Sequence, residues 1–188
     1  LLQALARLRT DGLARADVRL VIVGGDRDSG RDDEQARLGA LAATLGVGGW
    51  VDFKGPQLQT ALPDYYRAAD LCLVPSHHET FGMAALEAMA CGATVVASRV
   101  GGLATTIQHG ITGVLVPPRD DAALAAAIAS LLADTSRRHS LGRQAARWAQ
   151  SYAWPSVARA LVEVYDELVP GLSRTVAIPI RADGATPL

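Results

Sequence analysis

Short apolar runs alternate with longer amphipathic stretches along this chain. The apolar runs are rich in valine, alanine and isoleucine and predict buried strands; they cover residues 18–23, 50–53, 71–74, 93–97 and 113–116. Between them, leucine and alanine recur at helical intervals, which predicts helices over residues 1–10, 33–45, 60–69 and 104–108. Another helix follows the loop after residue 74, and three more run from Ala122 to about residue 169, the last with Pro155 in its first turn.

Strands that alternate with helices indicate the α/β class. We expect a Rossmann-like parallel sheet with helices on both faces, because short and wholly apolar strands must be covered on both sides. The pattern predicts one domain over residues 1–169 and, where the composition changes, a flexible tail over residues 170–188. Ligands of such folds bind at the carboxyl ends of the strands, which here are the loops after Val23, Phe53, Val74 and Ala97.

The loop after Val74 and the helix that follows it contain the residues best suited to bind a ligand. Residues 76–92 read SHHETFGMAALEAMACG, with a glycine near the start of a helix and acids at Glu79 and Glu87. A glycine at this place lets a ligand approach the backbone, and the free N–H groups and dipole of the helix start attract an anion such as phosphate. The two carboxylates could bind hydroxyl groups on either side of that anion. The stretch therefore suits a sugar that is joined to a nucleotide through phosphates.

Each acid also has a purely structural interpretation. Glu79 could be a helix-capping acid, and Glu87 could be a polar residue on an exposed helix face. The residues around Glu87 are apolar on all sides of the helix, which argues against an exposed face. Because a buried carboxylate without a partner is costly, we expect Glu87 to have a partner.

Composition excludes several classes of protein. Hydrophobic residues make up 49% of the chain, which is enough for a packed core. The net charge is −1 and aromatic residues are only 5%, so the basic surface and stacking platform of a nucleic-acid binder are missing. Cys72 and Cys91 give neither a disulfide framework nor a zinc site and are interpreted as core residues. We expect no metal and a cytoplasmic location.

Other enzyme motifs do not fit. The loop after Val23 reads GGDRDSG, which lacks the G-x-G-x-x-G spacing of a dinucleotide fold, and no phosphate-loop signature occurs. A hydrolase triad or a metal site is suggested by the neighbouring Ser76, His77, His78 and Glu79. The G-x-S-x-G motif is absent, however, and adjacent histidines lack a spaced third ligand. We interpret both histidines as loop residues near a ligand.

The order of motifs resembles a known family. Glu79 and Glu87 match the E-x7-E motif of retaining glycosyltransferases of the GT-B fold, particularly glycosyltransferase family 4. Agreeing segments occur in the same order: LVIVGG, VDFKG, YYRAADLCLVPS, ETFGMAALEAMACG, TVVASRVGG, ITGVLVPP and Trp154. The resemblance covers roughly residues 1–168. It implies that the chain is the C-terminal, donor-binding half of a GT-B fold.

The resemblance also implies roles for individual residues. Glu87 would hold the ribose hydroxyls and Glu79 the hydroxyls of the transferred sugar, which makes Glu79 the candidate catalytic residue. The backbone beside Glu79 would meet the sugar and the diphosphate, through Thr80, Phe81, Gly82 and Met83. Lys54 and Gly55 would edge the base, and there the backbone is favoured over the Lys54 ammonium. No cofactor is implied, and a UDP-sugar is preferred as donor over a GDP- or ADP-sugar.

The sequence departs from the family at its start. Members carry a basic Arg/Lys pair after the first strand of this domain, whereas Leu1 begins inside the helix that follows, so that strand and pair are missing. Arg27, Arg31 and Arg99 are alternatives, although solvated roles are favoured for them. We expect the N-terminal domain, which would bind the acceptor and make any contact with a membrane surface, to lie outside these residues too. We therefore expect the 188 residues alone to be inactive.

The function that follows is transfer of a sugar from a nucleoside diphosphate sugar to an acceptor hydroxyl by a retaining hexosyltransferase. In the family the acceptor is pictured as attacking from the front face, with the leaving phosphate as base, so no enzyme nucleophile is needed. Two alternatives stay open at this point. One is a GT-B-related nucleotide-sugar epimerase, and the other is a non-catalytic nucleotide-sugar-binding module.

Overall fold

The computed structural model describes residues 1–12, 18–25 and 32–169. The chain divides into two compact units, Leu1–Ser151 and Tyr152–Leu188. The predicted tail, residues 170–188, lies outside the described residues, so its boundary at residue 169 stays a prediction.

All strands in the described part of the first unit pair in parallel, as the sequence predicts. Two strands, β1 (Leu20–Val23) and β2 (Val51–Gly55), form one sheet. The other sheet has the order β3-β4-β5, with β3 (Cys72–Val74), β4 (Val95–Ser98) and β5 (Gly113–Val116). Its register pairs Val74 with Ala97 and Ala97 with Leu115. The strands thus end together at one edge, where the candidate loops begin.

Seven α-helices are described in the first unit and one in the second. Those of the first unit are α1 (Leu2–Thr10), α2 (Asp32–Thr44), α3 (Leu62–Ala68), α4 (Met83–Ala90), α5 (Leu103–Thr106), α6 (Asp121–Ala133) and α7 (Thr135–Ala149). The helix of the second unit is α8 (Trp154–Leu168), and Pro155 lies in its first turn as predicted. None of the described helices is long and apolar enough to cross a membrane.

Several predicted bounds differ from the structure by one or two residues. Among the helices, α3 and α5 are shorter than predicted. The helix predicted from Thr60 begins at Leu62, after a 3-10 turn over Gln59–Ala61. Pro63 lies in the first turn of α3, where proline is tolerated because no intrahelical N–H is needed. The helix predicted over residues 104–108 spans only Leu103–Thr106, since the amide of Gln108 bonds to the Thr112 side chain instead.

The three-stranded sheet is covered on both faces. Alternate strand residues point to opposite sides, and they enter two separate clusters. The first core cluster includes Val96, Val114 and Val116 together with Leu5 and Leu8 of α1 and Leu124 and Ile128 of α6. The second core cluster includes Val95, Ala97 and Leu115 together with Ala85 and Met89 of α4, Leu103 of α5 and Ala145 of α7. This confirms the predicted Rossmann-like arrangement and fixes α4 against the sheet.

Candidate functional site

A tight turn links β3 to α4. Gly82 precedes the first residue of α4 with φ 93° and ψ 47°, in the left-handed region that disfavours side chains. A Cβ atom at this position would lie 2.7 Å from the Leu103 Cδ2 atom. The backbone conformation therefore requires glycine here, and the contact with the end of the Leu103 side chain adds a smaller steric cost. The expected glycine at the helix start is present, and it is buried against α5.

Glu79 lies in this turn, not in the helix. Its Oε1 atom accepts a hydrogen bond of 3.1 Å from the Gly82 amide, so the carboxylate is placed over the start of α4. This contact is the helix-capping interaction that the sequence analysis gives as the structural interpretation of Glu79. Among the described residues no partner is found for Oε2, and the side chain is half-buried. One carboxylate oxygen is thus anchored while the other is available to a ligand.

The turn is supported from below by the loop after β4. The Gly102 amide donates a 2.9 Å hydrogen bond to the Glu79 carbonyl oxygen. A Cβ atom on Gly101 would lie 2.0 Å from that same oxygen, and one on Gly102 would lie 2.5 Å from the Phe81 Cα atom. The Thr106 hydroxyl donates a 3.0 Å bond to the Phe81 carbonyl oxygen. The sequence pattern predicts only an exit turn for this Gly-Gly pair, and its contact with the site was missed.

The outer surface of the turn is open. Thr80 is exposed, and the side chains of Phe81 and Met83 are 41% and 56% exposed. The first amides of α4 have no partner inside the helix. Together with the helix dipole they form a positive end that favours a phosphate group.

Glu87 is the fifth residue of α4 and is half-buried. The sequence predicts a partner for it, and the structure identifies Tyr66 on α3. The Tyr66 hydroxyl donates a 3.2 Å hydrogen bond to Glu87 Oε2. Burial and the nearby Glu87 charge raise the pKa of Tyr66 above its usual value. The hydroxyl therefore stays protonated and continues to donate its hydrogen bond to Glu87. Tyr66 lies in the segment YYRAADLCLVPS, but the sequence assigned it no role. The signal for a residue in this role was the apolar setting of Glu87.

Lys54 and Gly55 lie at the carboxyl end of β2, in the other sheet. Lys54 Nζ forms a 2.7 Å ion pair with Asp52 Oδ2, which raises the pKa of the ammonium. The Lys54 carbonyl oxygen accepts a bond from the Gln57 side chain, and the Gly24 amide donates to the Gly55 carbonyl oxygen. No hydrogen bond or ion pair between described residues joins this segment to Glu79 or Glu87.

The structure also places the other residues considered from the sequence, except those outside the described ranges. His77 is exposed and lines a cavity of about 230 Å³ with Pro75, Ser98 and Arg119. Arg99 is exposed, whereas Arg27 and Arg31 lie outside the described residues. Burial raises the pKa of Cys72 to about 11. Cys72 packs against the second core cluster, and both Cys72 and Cys91 are only partly buried. No group of three His, Cys, Asp or Glu residues in the described ranges could hold a metal ion.

Comparison with known proteins finds a matching family model and similar sequences. The family model of glycosyl transferases group 1 matches residues 1–148. A D-inositol 3-phosphate glycosyltransferase from Thermobispora bispora is 44% identical over 162 residues, which are 85% of this chain and 38% of that protein.

Two solved structures share the fold. Sucrose-phosphate synthase from Thermosynechococcus elongatus has a TM-score of 0.76 and 36% identity, over 89% of this chain and 42% of that one. Anabaena Alr3699/HepE in complex with UDP-glucose has a TM-score of 0.73 and 28% identity, over 89% of this chain and 44% of that one. The present chain spans less than half the length of each of these three proteins.

Proposed function

The chain belongs to the glycosyl transferases group 1 family, and we propose that it forms the donor-binding part of a retaining hexosyltransferase. The full-length enzyme would move a sugar from a nucleoside diphosphate sugar to an acceptor hydroxyl. One observation carries the proposal. The turn between β3 and α4 combines a left-handed glycine, a carboxylate held 3.1 Å from its amide, and a second carboxylate on the following helix.

In this proposal Glu87 holds the ribose and Glu79 holds the transferred sugar. A carboxylate forms strong, charge-assisted hydrogen bonds with hydroxyl groups. Glu79 Oε2 faces no described partner and is available for a sugar hydroxyl, while Oε1 stays on the Gly82 amide. The backbone of Thr80, Phe81 and Met83 completes the wall that faces the sugar and the diphosphate.

The start of α4 would stabilise the leaving group. Negative charge grows on the diphosphate as the bond to the sugar breaks, and preorganised amides aimed at that charge lower the barrier. The acceptor hydroxyl attacks from the same face, and the departing phosphate takes its proton. The sugar carbon therefore keeps its configuration without an enzyme nucleophile, and Glu79 acts by holding the sugar.

The donor and acceptor are proposed from the relatives. The Anabaena structure contains UDP-glucose, which favours a UDP-sugar as donor, with Lys54 and Gly55 beside the base. The Thermobispora bispora relative is a D-inositol 3-phosphate glycosyltransferase, so an inositol phosphate is the first acceptor to test. The acceptor would be bound by a domain outside this chain, and contact with a membrane surface would be confined to that domain. The enzyme would be cytoplasmic.

The test is an assay of the full-length protein with UDP-glucose and inositol 3-phosphate, followed by NMR of the anomeric proton. We expect a product that keeps the α configuration of the donor, and no transfer by the 188 residues alone. GDP- and ADP-glucose are tested in parallel. An epimerised sugar from donor alone would indicate a nucleotide-sugar epimerase, and donor binding without turnover would indicate a binding module.

A further inference from the structure

Glu87 has one side-chain partner among the described residues. α4 buries Ala85, Ala88 and Met89 against the sheet, and Glu87 lies beside them with its carboxylate half-buried. The 3.2 Å hydrogen bond from the Tyr66 hydroxyl reaches Oε2. The other oxygen, Oε1, has no hydrogen bond or ion pair with any described residue. The carboxylate is thus fixed at one oxygen and available at the other.

The position of the Tyr66 hydroxyl is set by packing. Its ring lies on α3 and packs against the second core cluster, together with Cys72 and Leu86. A tyrosine has only two side-chain torsions, so a packed ring holds its hydroxyl at a defined place. Because burial and the Glu87 charge raise the pKa of Tyr66, the hydroxyl remains a donor throughout the physiological pH range. Tyr66 can therefore orient Glu87 but cannot act as a base.

We propose that Tyr66 is a positioning residue, which fixes the Glu87 carboxylate so that Oε1 faces the ribose diol of the donor nucleotide. This inference rests on the proposed function, in which Glu87 binds the ribose. A diol recognised by a carboxylate needs an acceptor at a defined distance and angle. Without the tyrosine hydroxyl, Glu87 would sample further rotamers and would bind the diol less well. The contact of Tyr66 with the ligand would be indirect.

The experiment compares two ligands, UDP and 2′,3′-dideoxy-UDP, by calorimetry on the full-length protein. We expect Tyr66→Phe to weaken UDP binding about 3- to 10-fold, the effect of losing one hydrogen bond. The variant should leave binding of the dideoxy ligand unchanged, because that ligand has no diol for Glu87 to hold. Tyr165→Phe on α8 is the matched control and should change neither affinity.

The outcomes separate a positioning role from a structural one. If Tyr66→Phe weakens binding of both ligands equally, the hydroxyl merely supports the fold and the inference is overturned. A lowered unfolding midpoint of the ligand-free variant would accompany that result. Unchanged UDP binding would overturn it as well. If wild-type protein binds UDP but loses nothing on removal of the diol, the ribose role of Glu87 fails and the inference fails with it. If the wild type binds no nucleoside diphosphate among UDP, GDP and ADP, the proposed function itself is contradicted.

Discussion

The Gly102 amide donates a 2.9 Å hydrogen bond to the Glu79 carbonyl oxygen, which joins the loops that follow two neighbouring strands. This bond fixes the backbone of Glu79 independently of its side chain. The side chain is fixed separately, through the 3.1 Å bond from the Gly82 amide. The acid that we place at the transferred sugar is therefore held from both ends. A site with this degree of preorganisation can orient a sugar without rearranging.

The close contact beneath Glu79 predicts that Gly101→Ala disrupts the site. The added Cβ would lie 2.0 Å from the Glu79 carbonyl oxygen, so the loop must shift. Gly110→Ala is the matched control, because Gly110 also has a positive φ (78°) but nothing lies within 4 Å of its Cβ position. We expect the control to cost about 1 kcal/mol through backbone strain, and Gly101→Ala to cost about 1–3 kcal/mol more through overpacking. Chemical unfolding measures both changes.

Binding separates these two variants further. Gly101→Ala should also weaken binding of UDP-glucose, because the turn that carries Glu79 must move, whereas Gly110→Ala should not. Equal stabilities and equal affinities of the two variants would show that the loop after β4 does not support the turn.

A second close contact lies between α7 and the end of α4. A Cβ atom on Gly142 would lie 2.2 Å from the Gly92 carbonyl oxygen. Gly142→Ala should therefore lower the free energy of unfolding by about 1–3 kcal/mol. Gly39, on α2, has nothing within 4 Å of its Cβ position, and Gly39→Ala should stabilise the protein by about 0.5–1 kcal/mol through helix propensity. Opposite signs for the two substitutions are the expected result, and a stabilising Gly142→Ala would contradict the packing.

The partly buried thiol of Cys72 predicts a loss of stability at high pH. Burial raises its pKa from the usual 9.0 to about 11 in the folded state. Its contribution is fully present below pH 9 and is lost as the pH rises towards 11, because the unfolded chain gains more by ionising the thiol. The loss should reach about 1–2 kcal/mol, less than full burial would give, since the side chain is only partly shielded from solvent.

Chemical denaturation at pH 8 and pH 10.5 tests this expectation with Cys72→Ala as the comparison. The alanine variant should lose less stability between the two pH values than the wild type does. An identical pH dependence would show that Cys72 is already solvated in the folded protein.

Local patterns predicted the architecture of the described residues well. β5 has the predicted bounds, and the order of strands and helices follows the alternation of apolar runs with amphipathic stretches. Helix ends were less predictable where a single local feature decides them. A 3-10 turn over Gln59–Ala61 precedes α3, and the side chain of Thr112 takes the amide that would have extended α5. Such competition for one hydrogen bond does not alter hydrophobic periodicity.

The candidate site was predictable only in part. The glycine, the two acids and the helix start lie within one continuous stretch, so their proximity follows from the sequence. The residues that support them do not. Tyr66 lies 21 positions before Glu87, and Gly101 and Gly102 reach the site from the loop after another strand. Burial of Glu87 implied that a partner exists, but only the packing of α3 beside α4 identifies Tyr66.

The most direct measurement of the central claim is calorimetry of UDP and UDP-glucose with wild type, Glu79→Gln and Glu87→Gln. The amide side chains keep the shape of the acids while removing their charge, and in Glu79→Gln the side-chain oxygen could still accept the bond from the Gly82 amide. If Glu87 holds the ribose, Glu87→Gln should weaken both ligands about tenfold or more. If Glu79 holds the sugar, Glu79→Gln should weaken UDP-glucose by a similar factor and leave UDP unchanged. Equal effects of the two substitutions on both ligands, or no effect of either, would contradict the division of the donor between these two acids.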